Sequence, residues 1–202
     1  VETRSKETAN HVMRVGKMAH RLGELVGLKE EDAAVLRLAA PMHDVGKVAM
    51  PTEIIQKTDA LDSGEIEALR HHPALGEEFF EGIEHLAPVR PLIRSHHERY
   101  DGRVDGEFPG YPDGLIGDRI QLGARILKLA ESADTMISGQ PYQQPMPRDD
   151  VEKIIRQESG KSFDPRLVRV LLSDRHWQAS LGEIDVINRL LAFDEDLDDQ
   201  AD

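Results

Sequence analysis

The 202-residue sequence predicts an all-α protein, and three observations carry that expectation. Apolar residues recur at helical spacing through most of the chain, no segment shows the apolar–polar alternation of a half-buried strand, and no internal repeat is present. The first helix lies in "ANHVMRVGKMAHRLGELVGL", where Val12, Val15, Met18, Ala19, Leu22, Leu25 and Val26 share a face and Gly27 is a stop signal. "EEDAAVLRLAAPMHD" reads as a second helix, kinked or ended near Pro41. "DSGEIEALRHHPALGEEFFEGI" reads as a helix capped by Asp62 or Ser63, a break at Pro73, and another helix. "VRPLIRSHHERYDG" continues the helical trend to Gly102, and residues 101–119 form a loop rich in glycine. "IQLGARILKLAESADTMI" is helical again, "SGQPYQQPMPRDD" is a second loop, and "FDPRLVRVLL" is a helix with Asp164 as cap and Pro165 in its first turn. One domain is expected over 1–184, followed by a helical extension with an acidic tail over 185–202.

Composition narrows the function. Apolar residues make up 39% of the chain, enough for a core, yet no run of about 20 apolar residues could span a membrane. No signal peptide is visible, and a first residue of Val rather than Met points to a piece of a longer protein. The absence of cysteine removes disulfides, thiolate zinc sites and cysteine nucleophiles, and it fits a reducing cytoplasm. A formal charge of −13 argues against a broad DNA- or RNA-binding face. A small anion can still bind if metal ions supply local positive charge.

The nine histidines carry more information than the net charge. Glu7 and His11 share one helix face, which by itself describes an ordinary i,i+4 surface pair. His43 and Asp44 are adjacent, so their side chains diverge by about 100° on a regular helix. They can serve neighbouring metal ions only near a helix end or kink, which Pro41 would supply. The doublets His71-His72 and His96-His97 could each be solvated patches; a histidine before proline, such as His72, is pushed toward extended geometry. Taken together, imidazoles and carboxylates without thiolate suit an iron, manganese or zinc hydrolytic centre, and Asp44 is the natural bridging carboxylate. His20, His85 and His176 fit no such series and read as surface or helix-end residues; Trp177 reads as core. The apolar stripe in "IDVINRLLAF" reads as core packing, with dimer formation or docking of an upstream module as the alternative.

The ordered series Glu7…His11, His43-Asp44 with Gly46-Lys47, His72-Pro73, His96-His97-Glu98-Arg99, Asp101-Gly102 and Gly110-Tyr111-Pro112 resembles the HD-GYP phosphodiesterases, bacterial enzymes of the HD superfamily that hydrolyse cyclic di-GMP. The resemblance runs from about residue 5 to residue 172. It implies an HD-superfamily helical bundle holding two or three divalent metal ions, iron or manganese first among them. It implies His11, His43, Asp44, His72, His96 and His97 as ligands, with Glu7 in the place that serves a third ion. It implies Lys47 near the substrate phosphate and Tyr111 lining the site. The expected reaction is hydrolysis of cyclic di-GMP to pGpG, GMP or both, within cytoplasmic signalling. An upstream sensory or receiver domain and a homodimer are further expectations.

Three departures qualify this. Where the family has Val-Ala-Asp, the chain has Leu129-Ala130-Glu131, so Glu131 would replace the aspartate ligand, with Asp134 as the fallback. Where the family contacts the nucleotide with two cations, the chain has Gln140-Pro141-Tyr142-Gln143. Each lost charge-assisted contact is worth roughly 1.5–3 kcal/mol. The stretch between Gly102 and Gly110 is also longer than usual, and Arg99 and Arg103 are the cations that could compensate. The alternatives are therefore a domain that binds a nucleotide or partner without turnover, or a hydrolase of another cyclic dinucleotide.

Overall fold

The computed structural model describes residues 2–57, 59–139 and 144–174, with side chains from residue 9 onward. Among these residues it contains nine α-helices and three short 3₁₀ helices, and the only β pairing is an isolated bridge between Ser159 and Phe163.

Helix α1 (Glu2–Leu25) buries Val15, Ala19 and Leu22, the i, i+4, i+7 stripe of the sequence, and packs on α2 and α7. It ends as expected at Gly27, whose φ of 69° lies in the left-handed region open to glycine. Helix α2 (Glu30–Met42) opens with Glu30, Glu31 and Asp32, favourable charges for a helix N-terminus. Pro41 sits inside its last turn; the helix runs one residue beyond the proline and stops at His43. A 3₁₀ helix over Val45–Ala49 follows, then the single turn α3 (Thr52–Ile55).

Helix α4 (Ser63–Leu69) starts at a complete capping box, with Asp62 accepting from the Glu65 amide at 2.9 Å and Glu65 accepting from the Asp62 amide at 2.7 Å. The break expected at Pro73 falls earlier, at Arg70 and His71. Helix α5 (His72–Glu78) carries Pro73 in its first turn, where a missing N–H costs nothing. A 3₁₀ helix over Glu84–Val89 leads into α6 (Arg90–Ser95). The helix expected to reach Gly102 thus ends at Ser95, because the His96 ring takes the Ile93 carbonyl and the chain turns at His97.

Helix α7 (Leu122–Ser138) is the central element. It buries Ala124, Ile126, Leu127, Leu129, Ala130 and Ala133 and contacts α1, α2 and α6. Helix α8 (Arg148–Gln157) was not anticipated by the sequence, whose loop reading extends to Asp150; Val151 and Ile155 alone anchor it in the core. Helix α9 (Pro165–Ser173) begins at Asp164, which accepts from the Arg166 amide at 2.8 Å, as expected. His20 and His85 are exposed, as read from the sequence. His176, Trp177, the "IDVINRLLAF" stripe and the boundary placed at 184–185 lie outside the described residues.

One close approach seats the 3₁₀ helix on α5. A Cβ at Gly46 would lie 1.9 Å from the His72 carbonyl oxygen and 2.5 Å from the Gly76 nitrogen. Both obstacles are backbone, so no side-chain rotation relieves them. Gly46→Ala is expected to destabilise the fold by about 3 kcal/mol, a fall in melting temperature of roughly 6–12 °C, measurable by calorimetry; an unchanged melting point would contradict this packing.

Candidate metal centre

The site begins with how helices end. The last carbonyls of a helix lack intrahelical donors. His43 stands just after α2 and His96 just after α6, and His72 lies three residues beyond Leu69, the last residue of α4. Each ring turns back: Nδ1 of His43 meets the Ala40 carbonyl at 2.7 Å, that of His72 the Leu69 carbonyl at 2.7 Å, and that of His96 the Ile93 carbonyl at 2.6 Å. Only a protonated Nδ1 can donate to a carbonyl, so each neutral ring keeps its lone pair on Nε2.

Those Nε2 atoms converge. His72 Nε2 lies 3.4 Å from His96 Nε2 and 3.1 Å from Asp44 Oδ1, and His43 Nε2 lies 3.6 Å from Asp44 Oδ2. His97 closes the group, its ring centroid 4.1 Å from that of His96 and 5.0 Å from that of His72. Asp44 belongs to two sets of donor atoms, one with His72, His96 and His97 and the other with His11 and His43, each set within 4.8 Å. The placement of Asp44 at the turn after α2 lets it and His43 face the same space, which a regular helix would forbid.

The electrostatics favour a cation in that space. Burial and the neighbouring rings of His43 and His72 push His96 well below its ordinary pKa; burial, His96 and Lys128 do the same to His97. Burial works to raise Asp44, but Lys47 and His43 beside it hold its carboxyl well below the usual range. An ionised carboxylate therefore faces the rings of His96 and His97, which burial keeps from protonating. His43 Nε2 and Asp44 Oδ1 are buried and make no hydrogen bond. Buried acceptors in such a cluster are satisfied by a divalent cation, and the nitrogen and oxygen donors fit one.

His11, half-buried on α1, reaches the cluster edge with its ring 6.0 Å from that of His43. Its Nδ1 meets Asp134 Oδ2 at 2.7 Å, and Arg14 binds the same carboxylate through Nε at 2.6 Å and Nη2 at 3.1 Å. Burial works to lower the His11 pKa; the Asp134 hydrogen bond and charge outweigh it and raise it. Asp134, the fallback ligand, thus has both oxygens engaged by His11 and Arg14 and stands outside both donor sets. Glu131, one turn earlier on α7, does face the cluster: its Oε1 is 3.8 Å from His97 Nε2. It stands outside both donor sets. The side chain of Glu7, and all of Gln140 and Gln143, lie outside the described ones.

Lys47 donates to Asp44 one 3₁₀ turn away. Tyr111 stacks on His97 with centroids 4.8 Å apart and planes 25° apart. Its loop is tied down by residues the sequence did not single out for that purpose. Glu98, 2% exposed, accepts from the Asp113 amide at 2.7 Å and the Leu115 amide at 3.2 Å, and Arg94 binds both Asp113 oxygens at 2.7 Å. Arg99, expected to contact substrate, is instead 6% exposed and already held by Asp101 (2.9 and 2.8 Å), Ser162 (2.6 Å) and the Phe108 carbonyl (3.1 Å). It clamps the loop. Arg103 is exposed and pairs with Asp105 at 2.9 Å. His71 is exposed and only flanks His72. Glu98 stood beside the histidine doublet in the sequence, but nothing local named its partners, and Arg14 was not singled out at all.

A family model described as HD domain matches residues 1–167 of the chain. The chain is 36% identical over 177 residues to the cyclic di-GMP phosphodiesterase response regulator RpfG of Xanthomonas campestris pv. campestris, covering 87% of this chain and 45% of that protein. It is 35% identical over 179 residues to the 3'3'-cGAMP-specific phosphodiesterase 2 of Vibrio cholerae, covering 88% of this chain and 33% of that one. The chain thus spans less than half the length of either relative. Among solved structures, Bd1817, an HDG"Y"P protein from Bdellovibrio bacteriovorus, superposes with a TM-score of 0.64 at 21% identity over 81% of this chain and 51% of that one, a likeness of fold.

Two outcomes follow from the geometry. Asp134→Asn removes the negative charge and one of the two accepting oxygens that hold His11 and Arg14, so metal affinity should fall about 10–100-fold in a chelator competition; unchanged affinity would contradict a positioning role. Glu98→Ala should remove hydrogen-exchange protection from the Asp113 and Leu115 amides while that of α7 is retained; protection that survives would mean the loop is held elsewhere.

Proposed function

Because the chain belongs to the HD domain family, we propose that it is a metal-dependent phosphodiesterase that opens cyclic di-GMP to pGpG, GMP or both. The carrying observation is Asp44, shared by two converging donor sets with Oδ1 buried and making no hydrogen bond. The names of the two relatives supply the substrate class, and the match covers 45% and 33% of those longer proteins.

Asp44 with His11 and His43 would hold one ion, and Asp44 with His72, His96 and His97 a second, with Glu131 joining at the His97 side. Glu7 would serve a third. The donor set contains no thiolate, which suits iron or manganese. When bound, such ions make water nucleophilic near neutral pH and neutralise charge building up on phosphorus. The chain's own residues do the rest. Lys47 holds an ammonium beside Asp44, placed to share its charge with a phosphoryl oxygen. Tyr111 covers one face of His97 and keeps bulk water from that side. Gln140 and Gln143 would line the nucleotide side with neutral amides. A cytoplasmic location and an upstream sensory or receiver module are part of the same reading, as is a homodimer. Among the described residues no helix is long and apolar enough to cross a membrane.

The similarity to a 3'3'-cGAMP-specific enzyme favours that dinucleotide as the second substrate reading. Protein reconstituted anaerobically with iron or manganese and offered a panel of cyclic dinucleotides is expected to linearise cyclic di-GMP, and His96→Ala to lose at least about 10³-fold in rate. Tight binding with no turnover would replace the enzyme reading with a nucleotide-binding module. Metal content should be near three ions per chain and fall by one in Glu7→Gln; an equal content in both would leave Glu7 without a ligand role.

A further inference from the structure

Most cations around the centre already have an anion. Lys47 is on Asp44, Arg14 on Asp134, Arg94 on Asp113 and Glu77, Arg99 on Asp101, and Arg125 on Asp164. Lys128 is different. It is half-buried on α7, one turn before Glu131 and therefore on the same side of the helix. Its charge is felt at His97, and its own surroundings are Glu131, Arg99 and Glu98. Yet among the described residues its ammonium makes no hydrogen bond and no ion pair. The carboxylate of Glu98 is committed to two loop amides, and that of Glu131 points to His97. A half-buried ammonium that no side chain or backbone acceptor engages has donors left for a bound anion.

We propose that Lys128 is a substrate-binding residue whose ammonium pairs with a phosphate of the cyclic dinucleotide. It would supply, from the helix that carries Glu131, a positive charge that the neutral loop residues Gln140 and Gln143 do not. The inference rests on the phosphodiesterase reading for the identity of the anion. It needs no group beyond the substrate's own phosphodiester, and it involves no bond made or broken by Lys128.

Two variants test it. Lys128→Met keeps the length of the apolar stem and removes the charge; Lys128→Arg keeps the charge. With manganese-loaded protein and cyclic di-GMP, Lys128→Met should raise KM at least about tenfold, the loss of one charge-assisted contact. The arginine variant should stay within about threefold of the parent. Metal content should match the parent, and the melting temperature of Lys128→Met should be equal or higher, since no internal pair is broken. A KM within twofold of the parent, or a lowered melting temperature together with lost metal, would overturn the assignment. If the parent binds cyclic di-GMP without cleaving it, the enzyme reading fails separately; a tenfold weaker Kd for Lys128→Met by calorimetry would still support Lys128, and an equal Kd would overturn it. No binding by the parent would overturn both.

Discussion

Three histidine rings that each give Nδ1–H to a carbonyl three residues back leave three Nε2 lone pairs aimed around one carboxylate. The rest of the centre depends on this constraint. It joins the end of α2, the break after α4 and the end of α6 to a common point, so where each helix stops decides where each donor stands. It also sets the chemistry. Lone pairs facing an ionised Asp44 repel one another until a cation sits between them, and burial keeps His96 and His97 from supplying that charge as protons. Gly46 belongs to the same constraint, since only a residue without Cβ lets the segment carrying Asp44 and Lys47 lie against the His72 carbonyl.

Around this core the protein uses oriented carboxylates more than free cations. Asp134 is fully buried and tied by Arg14, so it can fix the His11 ring without itself competing for an ion. Glu98 uses both oxygens on the loop that brings Tyr111 over His97, and Arg94 and Arg99 brace that loop from either side. In an acidic chain, positive charge for a small anion would come from bound ions and from very few side chains, of which Lys47 lies beside Asp44. The same arrangement is compatible with a formal charge of −13, which argues against a broad nucleic-acid face but leaves room for a small anion.

Local chemistry was readable from the sequence wherever one helical turn decides the outcome. The caps at Asp62 and Asp164, the stop at Gly27, the apolar stripes of α1 and α7, and the types of residue that gather as donors all follow from propensities and spacings within a few residues. So did the need for a helix end at His43-Asp44, because adjacent side chains on a regular helix diverge.

Partner choice was not readable. That Asp134 serves His11 and Arg14 across more than 100 residues, that Arg99 is held by the loop, that α6 stops at Ser95, that α8 forms at all, and that Lys128 has no ion pair among the described residues were decided by packing. The physical reason is range: a sequence window reports turn-by-turn preferences, whereas which oxygen meets which nitrogen across the bundle depends on how α1, α6 and α7 are seated against one another. The sequence by itself determined the helices and the kind of atoms available for a metal centre; the tertiary structure alone decided which of those atoms face it.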